Sequence, residues 1–173
     1  FKETLAVENR RSLAIGSVLR TYGQLLGDWR FMLPALAGAC LLGALFVYIS
    51  ACSGLLIGYF GVSETAFAWL FGVNALGFVV VSQLNARFVR RFGMFRVFAC
   101  GALIQWIGGM SLMLLALTPW VSLPLVYAIL FMTIAAIGLT VPNSTAMALA
   151  DQGQQAGMAS ALMGAMQFGL GLL

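Results

Sequence analysis

The amino-acid sequence predicts an all-α membrane protein. Composition is the first reason: of 173 residues, 62% are apolar and 8% are charged, and the mean hydropathy is +1.00. A water-soluble domain has about 45–50% apolar and about 25% charged residues, so this chain has too little polar surface to cover a globule in water. The second reason is where charge is missing. No Asp, Glu, Lys or Arg lies between Arg30 and Glu64, between Glu64 and Arg87, or between Arg96 and the chain end except Asp151. A hydrocarbon core about 30 Å thick takes about 20 apolar residues of helix to cross, and each of these stretches is long enough. The third reason is that all nine Lys and Arg fall within residues 2–30 and 87–96, two segments separated by two such stretches.

Taken in order, residues 1–30 read as a cytoplasmic segment. Within it Ile15, Val18, Leu19, Tyr22, Leu25, Leu26 and Trp29 recur every three to four residues, with Arg20, Gln24 and Asp28 among the polar positions. That spacing predicts an amphipathic helix on the inner membrane surface, with Trp29-Arg30 at the headgroups. The remainder, 31–173, reads as a transmembrane bundle, its first span over 31–57 and its second over 65–86. The run from 97 to 150 is too long for one crossing and is broken by Thr118-Pro119-Trp120-Val121-Ser122-Leu123-Pro124. Pro is excluded from ordinary helix interiors and Trp favours the interface, so this run divides into spans 97–117 and 123–149. The fifth span, 156–173, is still running at the last residue. No signal peptide is indicated, because the first apolar run begins only after thirty residues and is too long for an h-region. A start without Met and an end inside an apolar run predict an interior piece of a larger membrane protein.

The positive-inside rule puts both basic segments in the cytoplasm, giving an inner N-terminus and five crossings, the last heading outward. The net charge of +4 therefore orients the chain and meets anionic headgroups, and nucleic acid is not implied as a partner. Cys40, Cys52 and Cys100 lack metal-ligand spacing and read as small packing residues. With no His, no paired carboxylates, no phosphate-cradling Gly loop and no GxSxG, neither an enzyme nor a metal or cofactor site is indicated. The spans hold no Asp, Glu or His for a proton relay, so a proton-coupling residue is expected outside this chain.

Small residues four apart mark close helix contacts in lipid. Gly157, Ala161, Ala165 and Gly169 form such a stripe on the last span, and Ala35, Ala39 and Gly43 a shorter one on the first. Polar residues within spans are Tyr48, Ser50, Asn74, Gln105, Asn143 and Gln167. Each reads equally as a helix–helix hydrogen bond or as cavity lining. Pro142 precedes Asn143 and follows Gly138, so the fourth span is expected to be discontinuous there and to turn Asn143 toward a cavity.

Three stretches together resemble a known family. They are Glu3-Thr4-Leu5 with Glu8-Asn9-Arg10-Arg11, the basic run Asn85-Ala86-Arg87-Phe88-Val89-Arg90-Arg91-Phe92-Gly93-Met94-Phe95-Arg96, and Val141-Pro142-Asn143-Ser144-Thr145-Ala146 with Gly157-Met158-Ala159-Ser160-Ala161-Leu162-Met163-Gly164. They are similar to the central loop, the loop between helices eight and nine, and helices ten and eleven of the drug:proton antiporters of the major facilitator superfamily, Bcr/CflA (bicyclomycin resistance) type. The resemblance implies a partial fold of that superfamily, with the five spans as helices seven to eleven of the C-terminal half and an absent N-terminal half as partner. It implies a bacterial inner-membrane protein that exports hydrophobic or cationic drug-like molecules in exchange for protons by alternating access. It carries Tyr48, Ser50, Asn74, Asn143 and Gln167 toward substrate and leaves Gln105 to packing. It makes Arg87, Arg90, Arg91, Gly93 and Arg96 a cytoplasmic gate. Two positions depart from the family: Arg90 stands where an acid is common, and Ser50-Ala51-Cys52-Ser53-Gly54 has no Ser-Pro pair. A proton symporter importing a small metabolite would use the same fold, and a non-transporting scaffold or receptor would keep the same topology.

Overall fold

The computed structural model describes residues 15–171. Lys2, Arg10, Arg11 and the central-loop motif lie outside the described residues. Among the described residues there are six α-helices and no strand: α1 (Ile15–Gly27), α2 (Trp29–Ser53), α3 (Glu64–Phe92), α4 (Met94–Ala116), α5 (Leu123–Leu149) and α6 (Ala156–Gly171). Four apolar segments, Trp29–Tyr59, Glu64–Phe92, Met94–Ala116 and Leu123–Leu149, are long enough to cross a membrane, whereas α6 has sixteen described residues.

Local chemistry sets the helix starts. The Asp28 carboxylate accepts from Arg30 N at 3.0 Å and caps α2, and Ser63 Oγ accepts from Ala66 N at 3.3 Å and caps α3. Pro124 stands in the first turn of α5, where its missing N–H leaves no intrahelical bond unmade.

Three features differ from the sequence expectation. The basic run is helical rather than a loop: α3 continues to Phe92, Gly93 alone makes the turn at φ 85°, ψ 150°, and α4 begins at Met94. Charge marks where a helix leaves hydrocarbon, and Arg is a good helix former, so the helix need not end there. Arg90 and Arg91 occupy the last turn of α3, opposite the negative end of its macrodipole. Past Ser53, where no Pro interrupts it, α2 widens into a π-helical segment, Gly54–Tyr59. Finally, α5 is not discontinuous at Pro142 but runs through it from Leu123 to Leu149. Helices in lipid tolerate an internal Pro when neighbouring groups engage the perturbed backbone. Here Asn143 Nδ2 donates to Leu139 O at 2.7 Å and Ser144 Oγ to Val141 O at 3.0 Å.

Helix α5 is the centre of the bundle, packed on α2, α3 and α4; α6 packs on α2, and α1 lies against both α2 and α6. One apolar core, at the end where α1 lies, joins Leu25, Phe31, Ala35, Ala148, Ala159 and Met163. The other joins Tyr48, Cys52, Val126, Leu130, Ile134 and Ile137. The basic start of α2 lies beside the start of α4 and the end of α5, since Arg30, Phe95, Phe98, Met147 and Asp151 line one cavity, and Gln152 Nε2 in the α5–α6 connection donates to Asp28 Oδ2 at 2.9 Å. Close approach of α5 to α3 requires Gly138, whose added Cβ would stand 2.7 Å from Ser82 N and 2.9 Å from Phe78 O. Ala35 and Ala39 are buried, whereas the stripe Gly157, Ala161, Ala165 and Gly169 lies on the exposed side of α6, which turns Ala159 and Met163 inward. The four-residue spacing identifies a common face without saying which neighbour covers it.

The Gly93 turn carries a first prediction. A side chain is strained in this nearly Gly-only region of backbone space by about 1–3 kcal/mol. Gly93→Ala in the full-length protein is expected to lower the thermal unfolding midpoint in detergent, whereas substitution of the exposed Ala99 by Ser leaves it in place.

Candidate functional site

Helix α3 packs Phe67, Phe71 and Phe78 against the core, but the residues it buries most fully are amides. Its two buried residues are Asn74 and Asn85, eleven positions apart and therefore on one face, since about 3.6 residues make a turn. Each amide meets a partner on another helix.

Asn74 lies ten residues into α3, a depth of about 15 Å at about 1.5 Å per residue. It is 1% exposed, and its Nδ2 donates to the Tyr48 hydroxyl of α2 at 2.8 Å. The Tyr48 ring stacks on Phe71 with centroids 5.6 Å apart, and Phe71 in turn meets Phe67 at 5.9 Å. Asn74 Oδ1 has no hydrogen-bond partner among the described residues. A buried polar atom left without a partner costs about 1–3 kcal/mol. The site thus consists of a fixed hydroxyl–amide pair, an aromatic wall and one unused acceptor well below the α3 start. A hydrogen-bond donor or a positive charge that reached Asn74 Oδ1 would satisfy it.

The second amide pair lies toward the basic end. Asn143 Nδ2 donates to Asn85 Oδ1 at 2.7 Å, and Asn85 Nδ2 to Asn143 Oδ1 at 3.5 Å. Asn143 is therefore engaged by α3 rather than open. Gln105 Nε2 donates to Leu41 O at 3.0 Å and Gln105 Oε1 accepts from Thr140 at 2.9 Å, so this one amide ties α2, α4 and α5.

The other sequence-predicted residues are not brought to these pairs. Ser50 is exposed and its hydroxyl donates to Phe46 O at 2.8 Å. Gln167 is half-buried on α6, next to Phe168, whose ring meets Phe46 edge-on at 5.9 Å. Arg87, Arg90, Arg91 and Arg96 are exposed around Gly93 and form no ion pair with described residues; the Arg91 guanidinium sits 5.4 Å from the Phe92 ring centre. No cluster of three or more His, Cys, Asp or Glu able to hold a metal occurs among the described residues. Asn85 and Thr140 were not among the predicted residues. The eleven-residue spacing from Asn74 is the signal that would have singled out Asn85.

A helical bundle that hides amides inside and apolar side chains outside is built for lipid, and its sequence matches the profile described as Major Facilitator Superfamily over residues 2–173. The chain belongs to this superfamily. Its four long apolar helices fit the multi-pass membrane architecture of that superfamily. It is 32% identical over 176 aligned residues to the "Uncharacterized MFS-type transporter YdgK" of Bacillus subtilis (strain 168), covering 99% of this chain and 42% of that protein. It is 29% identical over 171 residues to the "Bicyclomycin resistance protein homolog" of Haemophilus influenzae, covering 99% of this chain and 43% of that protein. The chain spans less than half the length of these relatives. No solved structure matches it.

Proposed function

We propose that this superfamily member is a C-terminal-half portion of a bacterial inner-membrane exporter of hydrophobic or cationic small molecules, of Bcr/CflA type, working by proton exchange and alternating access. The spans α2 to α6 then stand as helices seven to eleven. The observation that carries the reading is Asn74: a fully buried amide, held by Tyr48 beside Phe71, with its carbonyl oxygen unused. A ligand donor entering there would gain a hydrogen bond at a point where water is scarce. The bacterial relative named for bicyclomycin resistance supports a drug-like substrate. Tyr48 and Asn74 are the direct contacts in this reading, while Ser50 and Gln167 border the ligand path. Asn143 acts through Asn85, and the arginines around Gly93 gate the cytoplasmic end. The coupling acid belongs to the part of the protein beyond this chain in this reading, because the one carboxylate of the described spans, Glu64, stands at the first residue of α3 and none lies within a span.

The test is drug accumulation in cells expressing the full-length protein. Asn74→Leu removes both the pair and the free acceptor, and an at least tenfold loss of export is expected, since one lost hydrogen bond to a charged ligand group is worth about 1.5–3 kcal/mol. Unchanged export of every tested compound at equal expression would remove Asn74 from the site. Cysteine at position 48 should react with polar reagents if a water-filled path reaches it, and stay silent in a solid scaffold.

A further inference from the structure

The geometry points to a binding site for one anionic phospholipid in the crevice between α3 and α4 at the basic end of the bundle. The crevice arises because α3 and α4, joined by the Gly93 turn, both pack on α5 far more extensively than on each other. It is a slot of about 420 Å³ lined by Phe88, Phe92, Arg96, Val97, Cys100 and Leu139. The floor is Leu139 of α5 and the walls are apolar, a shape that accepts an acyl chain and offers a polar ligand nothing to bond. Cys100 lies exposed within it.

The mouth of the slot has the opposite chemistry. Arg96 lines it directly, and the Arg91 guanidinium stacks at 5.4 Å on the Phe92 ring that forms one wall. Arg87 and Arg90 add two more exposed charges nearby, and no described carboxylate pairs with any of the four. Guanidinium groups recognise phosphate oxygens through parallel N–H donors. The charge-free run of α4 begins at Val97, directly after Arg96, so the cations stand where headgroup phosphates stand and the slot runs from there into hydrocarbon. Charge and depth together select a phospholipid with a net negative headgroup, its phosphate at Arg91 and Arg96 and one chain between Phe88, Phe92 and Cys100. This inference rests on the membrane topology and is independent of what the protein carries.

The experiment uses full-length protein in which Cys100 is the only cysteine, labelled with bimane and reconstituted into vesicles of unbrominated phosphatidylcholine. Brominated-chain phosphatidylglycerol or brominated-chain phosphatidylcholine is then titrated in as quencher. Phosphatidylglycerol is expected to quench at a mole fraction at least fivefold lower, as each surface arginine is worth roughly fivefold in anionic lipid affinity. Arg91→Gln with Arg96→Gln should abolish that preference while leaving quenching by phosphatidylcholine unchanged. Equal quenching by the two lipids would reduce the slot to ordinary lipid-facing surface and overturn the site. Absence of quenching by either would show the slot covered by another part of the protein and overturn it equally.

Discussion

Gly138→Val should prevent recovery of folded protein from membranes, and Gly138→Ala should lower the unfolding midpoint of the full-length protein in detergent by several degrees. The Cβ of either residue would press on Ser82 N at 2.7 Å, Phe78 O at 2.9 Å and Ser82 Cα at 3.1 Å, all of them backbone atoms of α3. Backbone has no other rotamer to adopt, so the whole of α3 must move away from α5. Overpacking of this kind costs about 1–3 kcal/mol and occasionally more. Movement of α3 would also draw Asn85 from Asn143 and Leu70 O from the Tyr127 hydroxyl, now 3.0 Å apart. A comparison with Gly38 separates this mechanism from a general intolerance of helix glycines to substitution. A Cβ at Gly38 overlaps the Ser144 side chain, not backbone. Gly38→Ala should therefore be rescued by Ser144→Gly, whereas no trimming of side chains at 78 or 82 should rescue Gly138→Ala. Rescue of Gly138→Ala by Ser82→Gly would show that the contact is with a side chain after all.

This contrast also shows why parts of the architecture were legible and parts were not. The apolar stretches that form α2 to α5 were visible because hydrocarbon thickness converts directly into a count of uncharged residues. The end of α3 was not, because charge at Arg87 reports departure from hydrocarbon, while the helix itself ends where Gly93 takes a positive φ. Within-helix spacing brought Ala35 and Ala39 together on one buried face, yet the same spacing on α6 marked residues the described neighbours leave uncovered. Gly138 belonged to no stripe, since its importance depends on the path of α3 across it, a property of two helices rather than one. Polar residues followed the same division. Asn74 and Asn143 stood out by type, but whether an amide is open or engaged depends on its partner. Asn85 stands both at the inner end of the 65–86 span and in the basic run, so its residue type alone marks it as a boundary residue rather than a buried one.

The Asn85–Asn143 pair gives the second large effect, on stability and on transport together. Removing one amide leaves the other in a dry interior with its donors or acceptor unmatched, so Asn85→Leu and Asn143→Leu should each destabilise by about 1–3 kcal/mol. Removing both leaves no orphan, and the double variant should be more stable than the sum of the singles predicts. Interhelical hydrogen bonds within membranes give coupling energies of about 0.6 kcal/mol on average and about 1.7 at most, and this reciprocal pair belongs at the upper end. Asn143 retains one alternative, its 2.7 Å bond to Leu139 O beside Pro142, so loss of Asn85 should be the milder single change. Exposed Gln83, on the same helix, supplies the control: Gln83→Leu should leave the midpoint where it was. Because the pair ties α3 to α5 near the basic end, its loss should also favour the state open to the cytoplasm. That shift is measurable as faster labelling of a cysteine placed at Ser82, which is half-buried between the two helices. Additive single effects, with labelling unchanged, would mean that the two amides share a location without holding the helices together.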